Sequence, residues 1–205
     1  MRATFATERK GFYFERLLGA DSLMASNART VISFGKYRAA HQPDQPMNAN
    51  AARFAGDTDQ MAADDGLESW VDGPVDDRLD EPVARPIFGG KPAGQHLWIV
   101  TADDVLHAPE ACIFGQKRGA GFAKHSNLTG GGSAFAGGEV AVLDETTIAI
   151  TGSSGRYRLR SAEELKSIEI AFAESGYNVW SMGYNQDTNR PNTFETDIDP
   201  EWVSL

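Results

Sequence analysis

Apolar and polar residues follow regular periods mainly after residue 95. Two apolar runs, 97–100 and 105–107, flank a pair of aspartates, a pattern that predicts a β-hairpin. A second hairpin is predicted where residues 139–143 alternate, turn at an Asp-Glu pair and return through 148–150. The second half of the chain is therefore expected to contain an antiparallel sheet.

The clearest helix signal lies between Ser161 and Gly176. Ser161 and Glu164 have the spacing of a capping box, in which two side chains bond the free N–H groups of the first turn. An apolar stripe at helical spacing follows, made by Leu165, Ile168 and Phe172. Gly176 supplies a C-terminal stop, and residues 177–180 are predicted to form the last strand.

The first 92 residues give weaker signals. Residues 12–18 indicate a short helix. Residues 30–39 are rich in β-branched and aromatic side chains, which predicts a strand with Arg38 near its end. The stretch 41–92 is rich in Pro, Asp and Ala and has no sustained period. We interpret it as a long irregular segment at the periphery, with one helical turn near residues 51–54.

Together these elements predict an α+β fold with a mainly antiparallel sheet and one prominent C-terminal helix packed on it. The predicted organisation has three parts: an N-terminal helix and strand part over residues 1–40, an irregular acidic segment over 41–92, and a core α+β domain over 93–205. A length of 205 residues is typical of one domain with an irregular extension.

Negative charge is concentrated in the irregular segment. Residues 57–81 hold ten acidic side chains and one basic one, Arg78, in a chain whose formal charge is −10. Because the remainder is near neutral, tight non-specific binding to nucleic acid is not expected. No apolar run approaches the roughly 20 residues that a membrane helix needs, so no membrane partner is expected either.

The cysteine count and the N-terminal pattern bear on location. Cys112 is the single cysteine, which rules out an internal disulfide framework and is typical of a reducing compartment. The first 18 residues are interrupted by charged side chains and lack the apolar stretch of a signal peptide. We therefore expect a cytoplasmic protein, or one delivered to the cytosol of a target cell by a route that needs no signal peptide.

The stretch 121–157 gathers most of the candidate chemistry. A Lys-His-Ser cluster at 124–126 precedes a glycine-rich turn, and a second polar cluster at 153–157 follows the predicted hairpin. Five glycines within 130–138 permit positive φ and close backbone approach, which ordinary loops seldom need so densely. No phosphate-binding loop, nucleophile elbow or metal-ligand spacing accompanies them, so no metal site is predicted.

Six short motifs occur in a recognisable order. They are Leu97-Trp98-Ile99-Val100, Gly115-Gln116-Lys117, Lys124-His125-Ser126-Asn127, Gly130-Gly131, Ala136-Gly137-Gly138-Glu139 and Ser154-Gly155-Arg156-Tyr157, followed by the predicted helix. This order resembles a domain of plant IQ-motif (IQM) calmodulin-associated proteins and of related bacterial toxin and effector proteins. The resemblance implies a bacterial effector or toxin domain whose partner is a protein target or a cognate immunity protein.

Three positions depart from the family pattern. Asn127 stands where the family has the second Ser of its KHSS motif, Arg156 where it has the His of SGHY, and Leu159 where it has Pro. The calmodulin-binding IQ element of the plant proteins is absent from the sequence, so the resemblance does not imply calmodulin binding.

The polar residues also resemble the set that mono-ADP-ribosyltransferases use on NAD. Under this hypothesis Glu139, His125 and Arg156 are catalytic, and the carboxylate faces an oxocarbenium-like transition state. The residues expected to bind NAD are Arg38, Ser126, Ser154 and Tyr157. The separation of Ser126 and Glu139 is shorter than usual in that class. The other downstream carboxylates are Glu145, Glu163, Glu164 and Glu195.

A different class of function stays open, a non-catalytic protein-interaction module whose glycine-rich turn and acidic segment bind a partner. Each candidate residue also has a structural interpretation. His125 bonds a backbone carbonyl inside the glycine-rich turn, Ser126 is a turn or cap hydroxyl, and Glu139 is an exposed strand residue paired with an arginine. Arg156 and Tyr157 then hold the end of the second hairpin against the start of the helix.

Overall fold

The computed structural model describes residues 28–47, 56–75 and 84–205. Within them the helices are α1 (Ala28–Ala40), α2 (Ile113–Lys117), α3 (His125–Leu128) and α4 (Ala162–Glu174), with a 3-10 turn at Ala63–Asp65. The strands are β1 (Glu68–Ser69), β2 (His96–Val100), β3 (Val105–Pro109), β4 (Ala136–Val142), β5 (Thr147–Thr151), β6 (Asn178–Ser181), β7 (Tyr184–Asn185), β8 (Arg190–Pro191) and β9 (Glu201–Trp202). The helix predicted at 12–18 and the turn near 51–54 lie outside the described residues.

Seven strands form one sheet in the order β1-β3-β2-β4-β5-β6-β9, and β7 pairs with β8 in a separate ribbon. Neighbouring strands of the large sheet are antiparallel except β5 and β6, which α4 connects as a parallel crossover. This arrangement confirms the predicted α+β class with a mainly antiparallel sheet. No helix in the described ranges is long and apolar enough to cross a membrane.

The two predicted hairpins and the predicted helix are confirmed. β2 pairs with β3 so that Val100 lies opposite Val105, and β4 pairs with β5 across the predicted turn. The hydroxyl of Ser161 accepts a hydrogen bond from the N–H of Glu164 at 3.1 Å, as an N-cap does. Gly176 follows the helix with a φ of +100°, a conformation that glycine adopts without strain.

The strand predicted at 30–39 is wrong, because these residues form helix α1. The carboxylate of Asp72 accepts hydrogen bonds from two N–H groups in the first turn of α1, at 3.0 and 2.8 Å. Asp72 thus caps the helix from a distant part of the chain. Phe34 and Tyr37 are buried at helical spacing, and the ring of Phe34 lies 5.0 Å from that of Phe172 on α4. Long-range packing and capping override the local β-propensity here.

The acidic segment is not peripheral where the structure describes it, so that interpretation is wrong for residues 56–75. Trp70 is 2% exposed, and its ring meets the edge of Phe172 with centroids 4.9 Å apart. Met61 is buried in a cluster with Leu128 of α3, and β1 extends the sheet beyond β3. Single apolar anchors among polar residues have no period, which explains why the sequence pattern did not reveal them.

Apolar side chains lie on both faces of the sheet. On the first face Trp98 and Val140 pack with Ile168 of α4 and with α1. On the second face Leu97 packs with Leu128 of α3 in one cluster, and a separate cluster covers β5 and β6. The second face is therefore covered in two parts.

Candidate functional site

Glu139 lies on β4, the middle strand of the seven-stranded sheet. It is opposite Leu97 of β2 and Thr151 of β5, and its side chain points to the second face, between the two apolar clusters. The residue is 8% exposed. Glu139 is therefore a buried carboxylic acid, and the alternative of an exposed strand residue is wrong.

Three polar residues surround this carboxyl group, and we call the four together the Glu139 site (Lys91, Gln95, Glu110 and Glu139). The ammonium of Lys91 lies 3.8 Å from Oε1 of Glu139 and 3.1 Å from Oε1 of Glu110. Gln95 donates from Nε2 to the other carboxylate oxygen of Glu110 at 2.5 Å. The backbone N–H of Glu110 donates to the carbonyl of Gln95, which continues the β2–β3 pairing to this point.

The environment of Glu139 favours its protonated form. Burial raises the pKa of Glu139 to about 7; the charge of Lys91 opposes this rise, and the carboxylates of Glu110 and Glu195 add to it. Its Oε2 has no hydrogen-bond partner among the described residues. A buried carboxyl that exchanges its proton near neutral pH, with one oxygen unengaged, has the properties of a catalytic acid or base.

Lys91 responds to the same cluster. Burial alone would lower the pKa of Lys91, but its hydrogen bonds to Glu110 and the nearby charge of Glu139 raise the pKa above its ordinary value. The ammonium therefore stays charged at neutral pH, and it is 44% exposed. Lys91 connects the buried carboxyls to the protein surface.

His125 begins α3 and lies directly over the β4 backbone. Its Nε2 donates to the carbonyl of Gly138 at 2.8 Å, and a Cβ at Gly137 would come within 2.9 Å of the imidazole ring, so the glycine permits this close approach. Burial lowers the pKa of His125 to about 4, and the ring is neutral at pH 7. His125 thus bonds a backbone carbonyl as expected, but this carbonyl belongs to strand β4 and not to the glycine-rich turn. The bond positions α3 against the strand that carries Glu139.

Ser126 and Asn127 follow His125 in α3 but differ in their contacts. Ser126 is fully buried, and its hydroxyl has no partner among the described residues. Asn127 donates to the carbonyls of Gly56 and Asp59, at 2.7 and 2.9 Å. Asn127 therefore has a structural use, because this amide attaches the acidic segment to α3.

Arg156 and Tyr157 also hold the second face together. The guanidinium of Arg156 forms a buried ion pair with Asp57 and reaches the carbonyl of Met47. The hydroxyl of Tyr157 donates to the carbonyl of Gly132 at 2.6 Å. Both side chains are thus engaged with loops of the second face.

Ser154 and Arg38 are used within the fold as well. The hydroxyl of Ser154 accepts hydrogen bonds from the N–H groups of Arg156 and Tyr157, at 3.2 and 3.1 Å, and so closes the turn after β5. Arg38 lies on α1, on the first face, where its Nε donates to the carbonyl of Thr101 at 2.7 Å. Of the seven predicted site residues, His125 and Ser154 both lie beside Gly137, two positions before Glu139 on β4, whereas Arg38 lies on the opposite side of the sheet.

Lys91, Gln95 and Glu110 are not predicted as site residues from the sequence. None belongs to a motif, and they are separated from Glu139 by 29 or more positions in the sequence. The only available signal was a polar residue at each end of the first predicted hairpin, because the antiparallel register brings the ends of β2 and β3 together.

A surface groove of about 620 Å³ lies away from this site, along α4 and the start of β9. Its acidic lining residues are Glu163, Glu169, Asp199 and Glu201, and Lys166 is its basic residue. No predicted site residue lines the groove. The described residues hold no group of three or more His, Cys, Asp or Glu side chains placed to bind a metal ion.

A scan against protein-family models, a search of curated proteins and a search of solved structures each found no match to this chain. The function of the chain is therefore inferred from the Glu139 site itself.

Proposed function

We propose that this chain is an effector or toxin enzyme that cleaves the bond between nicotinamide and ribose in NAD and transfers the ADP-ribosyl group to a macromolecular target. One observation carries the proposal: the Glu139 carboxyl is buried on the central strand with an unengaged Oε2 and a pKa of about 7. Groups with such properties cluster at catalytic sites, because structural carboxylates are normally paired or exposed.

Cleavage of this bond needs a base. The electron pair of the C–N bond moves onto the nicotinamide ring, which leaves as a neutral molecule and requires no proton. The attacking hydroxyl, amine or water forms the new bond to the ribose carbon and must lose a proton. Glu139 accepts that proton, and a base with a pKa close to the working pH is the most effective one.

The other predicted residues take different parts in the proposal. His125 positions the strand through its bond to Gly138. The buried hydroxyl of Ser126 stays a candidate contact for substrate, because it has no partner in the described part of the chain. Arg38, Ser154, Arg156 and Tyr157 are not needed, since their polar groups make the internal contacts described above.

The test is release of nicotinamide from NAD, with and without cell lysate as a source of target. Wild-type protein should release nicotinamide at a rate that rises with pH to a plateau above about pH 7. Glu139→Gln should lower the rate about 10²- to 10⁴-fold, the usual contribution of a general base. Glu145→Gln, at the exposed β4–β5 turn, is the matched control and should keep full activity. No nicotinamide at millimolar NAD, or full activity of Glu139→Gln, would refute the proposal.

The groove along α4 favours a second candidate, a protein-interaction module that binds a basic segment of a target or of an immunity protein. Its four carboxylates and one lysine give it a net negative charge. A lysine-rich peptide should bind wild type and lose affinity when Glu163→Lys and Glu201→Lys are combined. An enzyme at the Glu139 site would keep its activity in that double variant, so the two functions separate.

A further inference from the structure

We propose that Glu110 is the second catalytic carboxylate of the Glu139 site, carrying the negative charge that faces the developing ribosyl cation while Glu139 exchanges the proton. This inference rests on the proposed function. It gives to Glu110 the role of facing the ribosyl cation, which the sequence hypothesis gave to Glu139. Its basis is the unequal distribution of hydrogen-bond donors over the two carboxyl groups.

The two carboxyl groups lie close together because they share one cation. The ammonium of Lys91 is 3.8 Å from Oε1 of Glu139 and 3.1 Å from Oε1 of Glu110, so these oxygens are at most about 7 Å apart. Glu110 has a side chain that is 15% exposed, and that of Glu139 is 11% exposed. Both groups therefore occupy one shielded region.

Donors converge on Glu110. Lys91 approaches both of its oxygens, at 3.1 and 3.2 Å, and Gln95 adds a hydrogen bond of 2.5 Å. Such charge-assisted and side-chain donors are the partners of an ionised carboxylate. Because the amide nitrogen of Gln95 faces Glu110, its Oε1 faces away, and this oxygen is buried without a partner among the described residues.

Glu139 lies in the opposite environment. Its contact with Lys91 is the longer one, and its Oε2 has no donor within the described ranges. The charged groups that act on it are Lys91, Glu110 and Glu195, and the two carboxylates outnumber the one ammonium. When Glu110 carries the charge, Glu139 is the carboxyl that takes up and releases the proton.

The reaction step balances with these two roles. The C–N bond breaks and its electron pair leaves with neutral nicotinamide, while the ribose carbon becomes cationic. The negative charge of Glu110 stabilises that cation, and preorganised charge of this kind commonly contributes about 10²–10³ in rate. The nucleophile bonds to the carbon, and its proton passes to Glu139.

The experiment compares nicotinamide release over pH 5–9 for Glu110→Gln and Lys91→Met, with Lys91→Arg as the charge-preserving control. Glu110→Gln should be about 10²- to 10³-fold slower, and the midpoint of its rising pH limb should move to lower pH because Glu139 loses a neighbouring negative charge. Lys91→Met should move the midpoint to higher pH, and Lys91→Arg should leave it in place. Thermal melts confirm that each variant is folded.

A direct titration of the carboxyl carbons in ¹³C-glutamate-labelled protein provides a readout that does not depend on activity. The Glu139 resonance, assigned by its loss in Glu139→Gln, should titrate near pH 7 in wild type, lower in Glu110→Gln and higher in Lys91→Met. Full activity of Glu110→Gln, or a Glu139 midpoint that neither variant moves, would overturn the inference. If wild type releases no nicotinamide, the proposed function fails. The titration then tests by itself whether Glu110 carries the negative charge and Glu139 takes up the proton.

Discussion

Replacing Glu139 by Gln should stabilise the protein at high pH. Burial raises the pKa of Glu139 from its ordinary 4.5 to about 7, so the folded state binds this proton more tightly than the unfolded state does. The stability that Glu139 contributes is present below pH 4.5 and is lost as the pH rises through 7. A shift of this size corresponds to at most about 3 kcal/mol of unfolding free energy.

Glutamine has nearly the same shape and no charge to bury, so the two proteins should differ in a pH-dependent way. Near pH 4.5 their unfolding free energies should be similar. At pH 8.5 the unfolding free energy of Glu139→Gln should exceed that of wild type by about 1–3 kcal/mol. The lower value applies because the variant also loses the contact between Glu139 and Lys91. Urea denaturation of both proteins at several pH values, followed by tryptophan fluorescence, measures the difference.

The control for this prediction is Glu145→Gln, an exposed carboxylate at the β4–β5 turn, which should shift stability by less than about 0.5 kcal/mol at every pH. Contributions of the buried histidines are present in both proteins and cancel in the comparison. If Glu139→Gln is no more stable than wild type at pH 8.5, the carboxyl is not held against ionisation. The role of Glu139 as a base that works near neutral pH then loses its physical basis.

Three further predictions test the fold that supports the site. Burial lowers the pKa of His107 to about 3, so the unfolding free energy of wild type should fall as the pH drops from 6.5 toward 4. In His107→Gln, urea denaturation should show a weaker dependence of the unfolding free energy on pH in this range. Asp57→Asn removes the carboxylate charge from the buried pair with Arg156 and should cost about 3–5 kcal/mol in urea unfolding. Asp59→Asn breaks a more exposed pair and should cost less than about 1 kcal/mol, so equal losses would contradict the buried pair. Phe34 is fully buried, so Phe34→Ala should lower the unfolding free energy by about 3–5 kcal/mol. Ile32 is 63% exposed, so Ile32→Ala should lower it by about 0.5 kcal/mol or less. The reverse order would contradict the helical assignment of α1.

The sequence predicts those elements whose signals are local. Alternating residues and a short turn specify the β4–β5 hairpin, and the Ser161 cap, apolar stripe and Gly176 stop specify α4. Helix α1 is not predicted from the sequence because the residue that caps it, Asp72, lies 42 positions beyond Thr30. A short stretch of sequence around Thr30 does not contain Asp72 and so cannot indicate the hydrogen bonds that override the β-propensity of Thr30.

The candidate site is predictable only in part, for the same reason. Glu139 stands out in the sequence because it ends a glycine-rich stretch, but its neighbours Lys91, Gln95 and Glu110 come from the ends of other elements and meet it only through sheet register. Residue type alone can also suggest a site residue whose side chain is used within the fold. Arg156 has the chemistry of a ligand-binding residue, yet its guanidinium pairs with Asp57 inside the protein.

The two buried acidic residues of the second face show why Glu139 is assigned to function and Asp57 to structure. Asp57 faces a guanidinium that satisfies its charge, so its removal should damage the fold. Glu139 occupies a central strand position between Ala141 on β4 and its partner Leu97 on β2, which are both buried apolar residues. It is held instead with a raised pKa and an oxygen without a partner in the described chain, which lowers stability near neutral pH. A residue that opposes the stability of its own fold, next to a second carboxylate and a lysine, is what the proposed function requires of Glu139.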